Sequence, residues 1–172
     1  MNNLTSAQRV KSFVALYTSS FTWGMSYAGL IPLMSVLLEG NNTHPVIIGL
    51  VAAANPIGVL IGAPLVSPIL KRFGTANSII ISMIIAAAAV IAMPFLTSAW
   101  WWLLLRLIAG ISGAVPWVAT ETWINIMAKK ETRGRLMATY GGVMAAGFAV
   151  GPILLTTVGT GGLTPFICFT II

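Results

Sequence analysis

Long apolar runs alternate with short polar segments along the chain, and several runs are long enough to cross a lipid bilayer. A spanning helix needs about 20 mostly apolar residues to cross the hydrocarbon core, which is about 30 Å thick. The pattern predicts an all-α, polytopic membrane helix bundle with spans at about residues 13–38, 46–70, 76–96, 100–127, 136–158 and 164–172. The nine residues of the last run rise only about 14 Å as a helix, so we expect the chain to stop inside an incomplete sixth span.

The first span could instead be the core of a secretory signal peptide. Basic residues precede it, and Ser26-Tyr27-Ala28 loosely fits a cleavage site between small residues. The apolar run from Phe13 to Leu38 is longer than the roughly 7–15 residues of a signal-peptide core. Its length therefore favours a retained transmembrane helix.

The composition excludes a soluble globular domain. Apolar residues make up 58% of the 172 residues and charged residues only 7%, whereas a soluble domain has about 25% charged residues. The chain lacks the polar surface that a globule in water needs, so the lipid bilayer is its first predicted partner. The one cysteine, Cys168, lies in an apolar run and is predicted to be a small core residue.

The positions of the basic residues predict the orientation of the spans. Eight of the nine Lys and Arg residues lie before span 1, between spans 2 and 3, or between spans 4 and 5: Arg9, Lys11, Lys71, Arg72, Lys129, Lys130, Arg133 and Arg135. Because Lys and Arg accumulate in cytoplasmic loops, we predict a multi-pass protein of the plasma (inner) membrane with a cytoplasmic N-terminus. Topology accounts for the net charge of +6, so we expect no nucleic-acid partner.

The ninth basic residue lies inside span 4 and belongs to a polar stripe. At helical spacing, one face of this span carries Arg106, Gly110, Gly113, Trp117 and Glu121. Charges within a membrane usually face the bundle interior or a water-filled cavity, and they mark substrate or ion pathways. We therefore predict a cavity-facing charge; the alternative is a structural arginine neutralised by carbonyl groups at a helix end.

The other faces and spans supply weaker candidates. The opposite face of span 4 is predicted to face lipid, and three tryptophans at its outer end are predicted to anchor at the membrane interface. Glu121 lies near the inner end of span 4, where we expect it to pair with a basic residue rather than carry protons. The residues of span 4 predicted to face lipid are Leu103, Leu105, Ile108 and Val115, and the predicted interfacial anchors are Trp100, Trp101 and Trp102. The basic residue expected to pair with Glu121 is Lys71, Arg72 or Arg135. The further candidates for lining a cavity are Asn55, Trp23, Ser26, Tyr27 and Tyr140.

Small residues at four-residue spacing predict close helix packing. Gly58 and Gly62 share one face of span 2, and Gly147 and Gly151 share one face of span 5, where Pro152 follows. Two glycines on one face let a neighbouring backbone approach closely. The sequence has no metal, nucleotide or nucleophile motif, so neither a cofactor nor enzymatic activity is expected.

Three motifs occur in order along the chain. The segment SPILKRFGTA, after span 2, fits the pattern G-x-x-x-D-R-x-G-R-R, with Arg72 and Gly74 matching and Lys71 in place of the aspartate. Span 4 carries R-x-x-x-G at Arg106 and Gly110, and span 5 carries Gly147-x-x-x-Gly151-Pro152. Together these motifs resemble the N-terminal half of a major facilitator superfamily transporter, a family that associates the span-4 motif with proton coupling and the span-5 motif with antiport.

A further stretch is similar to the bacterial efflux-type branch of this family. ETWINIMAKKETRGR carries Glu121 at the end of span 4 and Arg133 and Arg135 in the following loop. The resemblance places Lys71, Arg72, Gly74, Glu121, Arg133 and Arg135 in a gating network at the inner membrane face.

The resemblance implies half of an alternating-access secondary transporter for small solutes, of the efflux or antiport type. Its partners would be the solute, protons as a candidate coupling ion, and a C-terminal half absent from this chain, which would form the other wall of the substrate site. Any coupling carboxylate is expected in that half, with Arg106 as its electrostatic partner. The alternatives are an uptake symporter or uniporter of the same superfamily and a non-transporting membrane scaffold.

Overall fold

The computed structural model describes residues 6–128 and 130–171, with side chains from residue 13 onwards except at position 127. Lys129, Ile172 and the side chains of Arg9 and Lys11 lie outside the described part. The described ranges form helices without any strand, so the predicted all-α class is confirmed. The helices are α1 (Ser6–Gly40), α2 (Pro45–Phe73), α3 (Thr75–Ala92), α4 (Ala99–Met127), α5 (Arg133–Val158) and α6 (Thr164–Ile171), with a short 3₁₀ turn at Met93–Phe95.

Five of these helices are long and apolar enough to cross a membrane. Three of them extend by several residues beyond the apolar runs that predict them, and the longest extension is at α1, which begins at Ser6. Helix α2 continues through Lys71 and Arg72 to Phe73, and α5 begins at Arg133 rather than after Arg135. Hydropathy marks where side chains leave the hydrocarbon, whereas backbone hydrogen bonding continues into the interface. The basic side chains expected in loops therefore lie on helix ends.

Gly74 alone separates α2 from α3. Its backbone adopts φ 80° and ψ 154°, a combination essentially restricted to glycine. Its N–H donates to the Leu70 carbonyl over 3.0 Å, which ends α2. The turn reverses the chain in one residue at the end that carries Lys71 and Arg72.

Gly74→Ala is expected to lower the stability of the protein by about 1–3 kcal/mol, because an alanine pays the strain of this backbone conformation. Thermal unfolding of the detergent-purified protein measures the effect. The control is Gly134→Ala in the first turn of α5, where an added Cβ meets no atom within 4 Å. If both variants unfold at the wild-type temperature, the turn at Gly74 is not strained.

The helices pack as two groups with a thin seam between them. Helix α2 packs along α4, with α3 on the other side of α4, while α1 packs along α5. Contacts between α1 and α2 and between α4 and α5 are few. We call this boundary the seam. It separates an α1/α5 pair from an α2/α3/α4 group, while α6 touches helices of both groups and a shared cluster of buried apolar side chains packs across the boundary.

Glycines form the closest contacts inside both groups. A Cβ on Gly62 would lie 2.6 Å from the Ile111 carbonyl oxygen of α4. In the other group, a Cβ on Gly147 would lie 3.0 Å from the Met25 nitrogen of α1. These backbones are in direct contact, so the predicted packing glycines lie at the interfaces within each group.

The prediction that one face of span 4 meets lipid is wrong for most of its residues. Val115 is only 5% exposed and packs with Val66 and Ala114, because α2 and α3 cover the face that was predicted to meet lipid. Leu103 and Leu105 are partly buried against a cluster of apolar side chains that includes Leu33, Val51 and Trp102.

The tryptophans in the first turn of α4 do not form one exposed group. Trp100 and Trp101 are exposed, as membrane anchors should be, but Trp102 is buried. Its indole N–H donates to the Leu96 carbonyl over 2.7 Å, and its ring meets Phe166 edge-on. Trp102 is therefore a core residue, whose one polar atom is satisfied by the preceding loop.

Candidate functional site

Arg106 is the central feature of the site, because its side chain is charged and only 1% exposed. The guanidinium carbon lies 5.4 Å from the ring centroid of Tyr27, on the other side of the seam. Its Nε and Nη2 atoms are buried and have no hydrogen-bond partner among the described residues. A buried charge of this kind is expensive unless an anion pairs with it.

A row of aromatic rings runs from Arg106 along the seam. Trp23 stacks on Tyr27 at a centroid distance of 5.3 Å and an interplanar angle of 9°. Trp117 meets Trp23 edge-on at 5.1 Å, and Phe148 lies within 6.3 Å of both Trp23 and Tyr27. We call Tyr27, Trp23, Trp117 and Phe148 the aromatic row. It brings together side chains of α1, α4 and α5.

The aromatic row ends at the second charge of α4. The Trp117 indole N–H donates to Glu121 Oε1 over 2.6 Å. Tyr140 of α5 is buried, with only 5% of its surface exposed. The two charged residues of the predicted stripe are therefore linked by stacked rings rather than by open space.

The glycines of the stripe differ in their surroundings. Gly110 packs against α2, where a Cβ would lie 3.0 Å from the Gly58 Cα atom. Gly113 is the opposite case, since a Cβ there would meet nothing within 4 Å. Asn55 is buried beside this contact, and its amide donates to the Arg106 carbonyl over 3.4 Å. Gly110 and Asn55 thus hold the α4 backbone that carries Arg106, while Gly113 leaves room along the stripe.

Ser26 and Pro152, two other predicted residues, make no hydrogen bond or ion pair with either charge in the described part of the chain, and Phe148 was missed. Ser26 is half-buried on α1, and Pro152 is exposed within α5. Phe148 was not singled out from the sequence, although it follows Tyr140 and Met144 at four-residue spacing. That spacing on one helix face is the signal that identifies it.

The expected ion pair of Glu121 with Lys71, Arg72 or Arg135 does not form among the described residues. The Trp117 indole binds the carboxylate instead, and Asn125 donates to the Glu121 main-chain carbonyl over 2.9 Å. Arg133 in turn donates through Nε to the Asn125 side chain. Because Trp117 lies one turn before Glu121 on the same helix, it reaches the carboxylate more easily than a loop residue.

The C-terminal end of α2, which carries Lys71 and Arg72, borders a groove instead of pairing with an acidic side chain of the described residues. Lys71 lines this groove together with Ser67, Thr75 and Thr122, while Arg72 lies over the ring of Phe73 at 5.4 Å. The groove opens between the C-terminal parts of α2 and α4 and the start of α3.

A small cavity lies beside Arg106 where α1 meets α2. Apolar side chains and one hydroxyl line it with the guanidinium: Ile31, Met34, Ser35, Leu38, Ile48, Val51 and Ala52. No cluster of His, Cys, Asp or Glu able to hold a metal ion occurs in the described part of the chain.

Comparison with known proteins assigns the family. The Major Facilitator Superfamily matches residues 16–172. The uncharacterized MFS-type transporter YfkF of Bacillus subtilis (strain 168) is 34% identical over 144 residues, which are 84% of this chain and 37% of YfkF. An uncharacterized MFS-type transporter of Enterobacter sp. (strain 638) is 29% identical over 136 residues, covering 79% of this chain and 36% of that protein.

A third relative, the uncharacterized MFS-type transporter YcaD of Shigella flexneri serotype 5b (strain 8401), is 32% identical over 113 residues. These are 66% of this chain and 30% of YcaD. The chain spans about a third of the length of the curated relatives it matches. Since the family match covers nearly every residue described above, this multi-pass membrane chain belongs to the major facilitator superfamily.

Proposed function

We propose that the chain is half of an alternating-access secondary transporter that exports a small solute in exchange for protons. The observation that carries this proposal is the fully buried Arg106, which reaches across the seam to Tyr27 at one end of the aromatic row. An intramembrane charge facing a helix boundary is typical of a substrate or ion pathway. A purely structural bundle has no reason to retain an unpaired charge there.

The proposed arrangement has the remaining half of the protein opposite α1 and α4. In this arrangement the solute binds near the middle of the membrane between the two halves. The charges of Lys71 and Arg72 at the end of α2, Lys130 in the turn before α5, and Arg133 and Arg135 at the start of α5 support a cytoplasmic inner end. The N-terminus is then cytoplasmic, and the bilayer is the plasma (inner) membrane.

Proton exchange needs a carboxylate that titrates during the cycle. The described acidic residues are Glu39 at the end of α1, Glu121 near the inner end of α4, and Glu131 between α4 and α5. None lies in a span at the level of Arg106, so the coupling acid belongs to the remainder of the transporter. The similarity of residues 121–135 to efflux-type members supports export as the direction, and transport rather than catalysis as the activity.

The alternating-access proposal predicts that Ser26 reaches water from each side of the membrane in turn. In the complete transporter carrying Cys168→Ser, we expect Ser26→Cys to react with a membrane-impermeant maleimide added to either side of proteoliposomes. Lys130→Cys should react from the inner side alone, and Leu60→Cys, at a 74% exposed apolar position in the middle of α2, from neither. If Ser26→Cys reacts from one side only under all conditions, the chain belongs to a scaffold instead.

A further inference from the structure

The two unpaired nitrogens of Arg106 lie on the same edge of its guanidinium group. Nε and Nη2 are the pair whose N–H bonds point side by side, and both are buried without an acceptor among the described residues. This edge matches the spacing of the two oxygens of a carboxylate and binds it through parallel hydrogen bonds. The unsatisfied group is therefore a two-donor fork rather than a point charge.

The described residues bring no carboxylate to this fork. Glu121 lies fifteen positions along α4, which is roughly 22 Å of helix rise, and its Oε1 already accepts from Trp117. Glu39 is exposed at the end of α1. An anion that satisfies Arg106 therefore comes from outside the described part of the chain.

The surroundings of Arg106 select the kind of anion. It is the one charged group bordering a cavity lined by Ile31, Met34, Val51 and other apolar side chains. A single guanidinium neutralises a singly charged carboxylate, whereas a doubly charged phosphate would keep an excess charge in apolar surroundings.

The aromatic row indicates what the carboxylate is attached to. Tyr27 lies directly against the guanidinium, and Trp23 continues the ring surface from it. Stacked rings offer a surface for a flat organic group, which an acidic side chain of the same protein would not need. The cavity and the aromatic row both lie at the seam, so separation of the two helix groups there would open the cavity and this surface together.

We infer that Arg106 binds the carboxylate of the transported solute through Nε and Nη2, and that the aromatic row holds the solute's ring. The solute class is an aromatic monocarboxylate. This inference rests on the proposed transport function, because it identifies the solute of that same site.

Benzoate tests the inference in the complete, detergent-purified transporter. We expect benzoate to raise the Tm saturably, while benzamide, which keeps the ring but lacks the charge, leaves the Tm unchanged. Arg106→Gln should abolish the benzoate effect. Arg106→Lys keeps the charge but loses the fork, so the benzoate affinity should fall at least tenfold. Lys130→Gln removes an exposed charge outside the spans and should bind benzoate like the wild type.

Two results would overturn the inference. The first is a wild-type Tm that does not respond to benzoate; if Arg106→Gln also lowers the Tm, the fork binds an acid of the protein itself. The second is equal benzoate binding by wild type and Arg106→Gln. The maleimide reactivity of Ser26→Cys separates the two proposals, because it depends on alternating access and not on which solute binds.

Discussion

Gly151→Ala is expected to destabilise the protein by about 1–3 kcal/mol, the usual range for overpacking, even though alanine is the better helix former. A Cβ at this position would lie 2.7 Å from the Gly29 nitrogen and close to the Met25 carbonyl oxygen. Both neighbours are backbone atoms of α1, so relief requires the two helices to move apart. Thermal unfolding in detergent measures the loss.

The matched control for Gly151 lies on the same helix. Gly141→Ala places a Cβ where no atom lies within 4 Å, so only the helix propensity changes, by about 0.5–1 kcal/mol in favour of alanine. The two substitutions are chemically identical, and we expect opposite signs. If Gly151→Ala stabilises the protein as Gly141→Ala does, then α1 and α5 do not touch through this glycine.

The helical structure of the long apolar runs was predictable because one physical requirement determines it. Backbone groups in hydrocarbon must be satisfied within the segment, so long apolar runs form helices. The helix ends were less predictable, as α2 shows by continuing through Lys71 and Arg72 to Phe73. Side-chain polarity reports where the hydrocarbon ends, and the helix ends at Gly74, where the backbone conformation changes.

The site was predictable along one helix but not between helices. Helical periodicity alone places Arg106, Gly110, Trp117 and Glu121 on one face of α4. That Trp117 binds Glu121 and that Phe148 joins the rings depend on packing between elements or on rotamers. The error at Val115 has a related cause. Lipid tails are as apolar as neighbouring helices, so hydrophobicity cannot distinguish a lipid-facing side chain from one buried between spans.

Arg106→Met is expected to raise the stability of the complete protein and to abolish its transport activity. Desolvation of an unpaired guanidinium costs several kcal/mol, while its contact with the Tyr27 ring returns about 2 kcal/mol at most. Methionine fills much of the same space without a charge. We therefore expect the solute-free protein to gain about 1–4 kcal/mol in stability, measured as a higher Tm, while transport falls to background.

Transport is measured as solute accumulation in everted vesicles with an acidic interior, where an antiporter exchanges outgoing protons for solute. The comparison variant is Lys130→Met, an exposed loop substitution expected to change stability by less than about 0.5 kcal/mol and to keep transport. A loss of about 3–5 kcal/mol on Arg106→Met would mean that the resting protein already supplies a buried anion to the guanidinium. A stabilised variant that no longer transports would instead mean that Arg106 is retained for the solute, at the expense of the fold.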